Sequence, residues 1–182
     1  MRLFFALWTP RETAAALHAW ASEAQRLTGG RVTRAETIHL TLAFLGEVEE
    51  GLVPGLKSLS VNGRRHELPI EHAGCWTHNS IVWAGPREIP AELKVVVSSL
   101  RENLLQQKFK PEKRPFAAHV TLIRKARKAA ELPPLPAVGW PVEELVLVRS
   151  QLSSAGPRYQ VIERFPLSPG PSGAGSGAAP ES

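Results

Sequence analysis

Short apolar runs alternate along the chain with stretches in which apolar residues recur at helical spacing. Leu3-Phe4-Phe5-Ala6-Leu7-Trp8 predicts a first strand. Thr9-Pro10-Arg11-Glu12 then predicts a helix start, with Thr9 as N-cap, Pro10 at the first helical position and Glu12 at the third. Ala16, Leu17, Trp20, Ala24 and Leu27 keep helical spacing until Gly29-Gly30 ends the helix. Residues 38–45 read as a strand. A short helix over 53–59 is weakened by Pro54 and Gly55. Residues 66–74 and 80–85 read as a strand pair across the turn Thr77-His78-Asn79. Pro90 opens a second helix that runs to about Gln107, with Leu93, Val96, Val97, Leu100 and Leu104 as its apolar stripe. Strands over 118–123, 142–149 and 158–165 follow. The order suggests two related halves. The fold class expected is α+β, with two pseudo-symmetric lobes, each a mostly antiparallel sheet with one packed helix and a groove between them.

Composition narrows the possibilities. A chain of 182 residues with 43% hydrophobic content suits one domain or two small lobes on a shared core. We expect that domain over residues 1–165. Residues 166–182, rich in Pro, Gly, Ser and Ala, are expected to form a disordered tail. The single cysteine, Cys75, rules out an internal disulfide and any Cys-based zinc site, and is expected to pack as a small hydrophobe. The opening apolar run is too short to span a membrane and no small-residue cleavage site follows it, so a cytoplasmic protein without membrane contact is expected.

Charge is unevenly placed. Residues 101–128 hold nine Lys and Arg against Glu102 and Glu112, a local excess of +7 in a chain whose net charge is +5. Such a run often forms a solvated face, but beside a groove it attracts polyanions.

That run surrounds one of two copies of a four-residue pattern, His39-Leu40-Thr41-Leu42 and His119-Val120-Thr121-Leu122. Composition alone predicts about 0.05 copies, so two are well beyond chance. In a strand each copy sets a His and a Thr on one face and two apolar residues on the other. Two such strands side by side would offer one bound group two imidazoles and two hydroxyls. Imidazole, with an ordinary pKa near 6.5, gives or takes a proton at neutral pH. Among the other histidines, His18 lies mid-helix and is expected to be exposed, while His66, His72 and His78 have no metal-ligand spacing. No metal or other cofactor is expected. Trp76 and Trp83 are aromatic positions that either stack on a base or join the core.

The twin motifs, the opening Arg-Leu-Phe-Phe-Ala-Leu and the run Ile38-His-Leu-Thr-Leu-Ala-Phe-Leu-Gly-Glu47 resemble the 2H phosphoesterase superfamily. Within it, Pro115-Phe-Ala-Ala-His-Val-Thr-Leu-Ile-Arg-Lys125 and residues 147–159 are similar to the bacterial and archaeal RNA 2′,3′-cyclic phosphodiesterases, also called 2′-5′ RNA ligases. The chain departs from that pattern at Arg31-Val32-Thr33-Arg34, where an aromatic residue is often found, which implies an altered groove lining. The resemblance implies a metal-independent hydrolysis of RNA 2′,3′-cyclic phosphate ends to 2′-phosphates, with reversible 2′-5′ ligation as a second activity. It implies His119 as general base and His39 as general acid, although the sequence alone leaves that order open. Thr41 and Thr121 would donate to phosphate oxygens, and Arg124 would contact the phosphate. Five residues past His119, Arg124 falls on the opposite face of an ideal strand, so a bulge or strand end is required there. The expected partner is RNA with a 2′,3′-cyclic phosphate terminus, met by a monomer, since one chain holds both motifs. Two other readings remain: a 2H enzyme for a small cyclic phosphate, such as an ADP-ribose cyclic phosphate or a mononucleotide, and an RNA-binding protein whose motifs are structural.

Overall fold

The structure is a computed structural model and describes residues 1–127 and 131–170. Its elements run β1 (Arg2–Trp8), α1 (Arg11–Thr28), β2 (Arg31–Val32), β3 (His39–Glu47), α2 (Val53–Lys57), β4 (His66–Ile70), β5 (His72–Trp76), β6 (Ile81–Gly85), α3 (Ala91–Gln106), β7 (Val120–Arg124), β8 (Val138–Val142), β9 (Glu144–Ser153) and β10 (Gly156–Pro166). The main sheet has the order β10-β9-β1-β3-β7-β6-β5, antiparallel throughout, and β2 adds to the edge of β7. At its middle β3 and β7 share a single register pair, Leu40 with Val120. The expected α+β lobes therefore exist, joined at this narrow seam.

The lobes are not consecutive in sequence. β9 pairs with β1 and β10 with β9, and together they complete the first lobe. β2, from the first half, pairs with β7 of the second. β4 and β8 form a separate two-stranded sheet that again joins the halves.

One face of the main sheet carries the helices. Leu3, Phe5 and Leu7 of β1, Leu40 and Leu42 of β3, and Val120 and Leu122 of β7 pack there with Leu17 and Trp20 of α1 and Leu93, Val96 and Leu100 of α3. On the other face Phe4 and Ala6 join Val146 and Val148 of β9 in a smaller cluster bordered by Trp8, Tyr159 and Val161. Removing these side chains from water supplies most of the drive to fold, roughly 25 cal/mol per Å² of apolar surface.

Several expectations are corrected. Thr9 does not cap α1: Pro10 occupies the N-cap, and the Thr9 hydroxyl donates to the carbonyl of Ile38 at 2.7 Å. That bond ties the end of β1 to the residue before His39. Ala16 and Leu27 are exposed, because the buried stripe of α1 runs through Thr13, Ala14, Leu17, Trp20, Ala21, Ala24 and Thr28. The single strand expected over 66–74 breaks at Glu71, and β4 leaves for the small sheet while β5 pairs with β6. His18 is half-buried, its Nδ1 donating to the carbonyl of Thr33 at 3.0 Å. Cys75 is only half-buried. The packed domain also extends beyond residue 165: Pro166 is in β10, Leu167 joins the core, and the Ser168 amide donates to Gly63 O at 3.0 Å. Residues 171–182 of the expected tail lie outside the described residues. Among those described, no helix is long and apolar enough to cross a membrane.

Candidate active site

The sheet face opposite the helices holds a groove at the β3–β7 seam. His39, Thr41, His119, Thr121 and Arg124 all line it. Both motifs behave as their alternation requires, since Leu40, Leu42, Val120 and Leu122 are buried on the helix side. All five residues singled out from the sequence thus meet in one place.

Arg124 gets there through a bulge. Against β6, Thr121 is opposite Trp83 but Ile123 is opposite Val82, so β7 carries one residue too many at Leu122. Leu122 and Ile123 are both fully buried, and the extra residue returns Arg124 to the face of His119 and Thr121. β3 has the same irregularity at the equivalent position. Thr41 is opposite Ala6 while Ala43 is opposite Phe5, with Leu42 in excess. There the residue brought back to the groove face is Phe44, which is 42% exposed, lies beside Phe4 in register and has the Arg2 guanidinium 5.1 Å from its ring centroid. Phe44 was not singled out from the sequence. Its signal was the bulge, which simple alternation hides.

Each histidine is oriented by its own backbone. His39 Nδ1 donates to the carbonyl of Thr37 at 2.7 Å, and His119 Nδ1 donates to that of Ala117 at 2.9 Å. A carbonyl only accepts, so Nδ1 carries the proton in both rings and Nε2 is left for chemistry. The surroundings differ. His39 is stacked on Trp8 (centroids 5.1 Å apart, planes 5° from parallel) and enclosed by Phe4 at 5.0 Å and Tyr159 at 5.3 Å. This burial lowers its pKa below the usual 6.5, the hydrogen bond to Thr37 opposes the shift, and the nearby positive charges of Arg124 and His119 add to it. His119 meets the Trp76 ring edge-on at 4.6 Å.

Close packing fixes the second motif. A side chain at Gly85 would place its Cβ 2.4 Å from the carbonyl oxygen of Ala118, the residue before His119. At Gly30, whose φ is +86°, a Cβ would sit 2.6 Å from Arg124 O. Thr33 binds the same strand, its amide and hydroxyl donating to Leu122 O and Thr121 O at 2.8 and 3.0 Å.

The groove has two arms that share Thr41, His119, Thr121 and Arg124, while His39 lines only the small one. The small arm, of about 190 Å³, is lined by Arg31, Arg34, Tyr159 and the tip of the β9–β10 hairpin. The segment 31–34 thus does line the groove. The large arm, of about 600 Å³, passes Phe44, Trp76 and His78 toward Arg101, Lys110 and Arg114. Trp83 packs behind Trp76, close against Gly74. Of the basic run, Arg101, Lys110, Arg114 and Arg124 face the groove, Arg127 packs by Gly29 at the end of α1, and Lys128 lies outside the described residues. Among the described residues no three His, Cys, Asp or Glu side chains converge as metal ligands would.

A model of the family described as LigT-like phosphoesterase matches the chain twice, over residues 7–83 and 84–159. The chain is 34% identical over 170 residues to an RNA 2′,3′-cyclic phosphodiesterase of Escherichia coli, covering 91% of this chain and 96% of that one. It is also 34% identical over 180 residues to the protein of the same name from Thermus thermophilus, covering 92% and 90%. Among solved structures it is similar to E. coli LigT complexed with 3′-AMP, with a TM-score of 0.83 at 31% identity, over 91% of this chain and 97% of that one.

Proposed function

The chain belongs to the LigT-like phosphoesterase family, and we propose that it hydrolyses RNA 2′,3′-cyclic phosphate ends to 2′-phosphates with two histidines and no metal. The observation that carries this reading is the convergence of two oriented imidazoles, two threonines and one arginine on one groove.

With the cyclic phosphate between the motifs, His119 Nε2 takes a proton from water as the water oxygen attacks phosphorus. The bond from phosphorus to the ribose 3′ oxygen breaks, and that oxygen receives the proton from His39 Nε2. One P–O bond forms and one breaks, leaving a 2′-phosphomonoester. Solvent exchange then returns each ring to its starting state. Thr41 and Thr121 donate to the non-bridging oxygens, and Arg124 opposes their growing charge. Phe44, exposed on the groove face beside this centre, offers its ring to the terminal base. When a ribose 5′ hydroxyl takes the place of water, the same two roles give 2′-5′ ligation, with the 3′ oxygen again leaving, and the rings exchange roles only when that 2′-5′ bond is cleaved back to the cyclic phosphate. A single chain carries the complete set, so the working unit is a monomer.

The test is an oligoribonucleotide ending in a 2′,3′-cyclic phosphate, incubated in EDTA with wild type, His39→Ala and His119→Ala. Conversion to a 2′-phosphate by wild type, with kcat lowered by about 10²–10⁴ in each variant, supports the reading. Turnover by either variant at the wild-type rate overturns the two-histidine mechanism. Turnover of small cyclic phosphates alone would favour a mononucleotide enzyme.

A further inference from the structure

The large arm contains more positive charge than one reacting phosphate uses. Arg124, Thr41 and Thr121 already serve the centre, yet Arg101 of α3 and Lys110 and Arg114 of the segment leading to His119 also line the arm, against Glu112. All three side chains are exposed, and among the described residues none of them forms an ion pair. Cations held near one another in a groove, without carboxylate partners, create a positive potential that an anion relieves. The volume agrees: the large arm is about 600 Å³, roughly three times the small arm, and Phe44 occupies only part of its wall.

We propose that this arm is a subsite for the strand behind the reacting end, in which Arg101, Lys110 and Arg114 hold the phosphodiester on the 5′ side of the terminal nucleotide. It rests on the reading that a terminal cyclic phosphate occupies the histidine site. The protein then selects RNA ends over cyclic mononucleotides, because only a strand carries a second phosphate to this position. The three cations contact no reacting atom, so their part is specificity.

The experiment compares adenosine 2′,3′-cyclic phosphate with the dinucleotide ApA bearing a terminal 2′,3′-cyclic phosphate, for wild type, the Lys110→Ala/Arg114→Ala double variant and Arg101→Gln. Wild type is expected to favour the dinucleotide in kcat/KM by about tenfold or more, the size of one charge-assisted contact. Each variant should lose most of that preference while its rate on the mononucleotide stays within about twofold. The salt dependence of the dinucleotide reaction should be steeper by about 0.7 per phosphate held, in log–log slope. Equal kcat/KM on the two substrates for wild type, or equal losses on both in the variants, overturns the subsite. Direct titration with the products, adenosine 2′-phosphate and the dinucleotide 2′-phosphate, separates the two readings. If wild type turns over neither substrate but binds the dinucleotide product more tightly through Lys110 and Arg114, the hydrolytic reading falls and the subsite stands. If it binds both products equally, the subsite falls whatever the turnover.

Discussion

His39 and His119 share a backbone bond of the same kind but not the same surroundings, and the difference has a sign. Rings packed around His39 withdraw water from it and hold its pKa below 6.5 in the free protein, with Arg124 and His119 adding to the effect. As the acid it must be protonated, so the limb of kcat/KM that it governs falls as pH rises through a value under 6.5. A bound phosphate brings negative charge between the two rings and moves the corresponding limb of kcat to higher pH. NMR titration of the His39 ring should give a midpoint below 6.5, moving upward in Trp8→Ala as water returns. A midpoint at or above 6.5 in the free protein would contradict this account. The same shift bears on folding. The unfolded chain binds a proton near 6.5 and the folded one does not, so the share of stability due to His39 is present above 6.5 and lost as pH falls through the lowered value. At Arg124 the planar guanidinium can grip two phosphate oxygens together. Arg124→Ala should lower kcat/KM by about 10²–10³, with Arg124→Lys recovering only part, in steady-state assays on the cyclic substrate.

At the scale of elements the site depends on two equivalent irregularities, at Leu42 in β3 and Leu122 in β7. The His–Thr pairing was legible because it needs only two residues of regular strand. Phe44 and Arg124 lie beyond the irregularity, where strict alternation assigns them to the buried face. For Arg124 the need for a bulge could be stated from the sequence, but its position is set by pairing with β6, and pairing partners are not written in local sequence. Thr9 shows the same limit. Its sequence context is that of a cap, yet the residue just before β3, about thirty positions on, presents Ile38 O to its hydroxyl, and that longer-range bond wins. The break at Glu71 likewise follows from β4 finding β8, about seventy residues later. Gly85 tests how tightly the second motif is held. Gly85→Ala should cost about 1–3 kcal/mol of stability by overpacking, read from chemical denaturation. Pressing on the Ala118 carbonyl, it should also reduce kcat by about tenfold or more, since small misplacements of catalytic groups are costly. Full activity in this variant would show that the backbone before His119 yields freely.

Over the whole molecule, sequence halves and structural lobes do not coincide. Each family-model match covers one half, yet β1 needs β9, β2 needs β7 and β4 needs β8. Helix and strand types were readable from periodicity, while this exchange of strands was not, because nothing in a strand's pattern names its neighbour. Fragments 1–86 and 87–182, produced separately, should therefore show no cooperative thermal transition by circular dichroism, and mixing them should restore one. A cooperative transition in either fragment alone would mean that a lobe closes without the other half. The exchange also sets a clock on synthesis. Every residue from Leu3 to Leu7 is buried in the finished protein, on both faces of β1. On the ribosome that strand is made long before its partner β9, which begins only at Glu144. At roughly 5–20 residues per second the nascent chain carries an apolar strand with one open edge for on the order of ten seconds. That edge stays open until β9 has left the exit tunnel, and any chain released before then keeps it open for good.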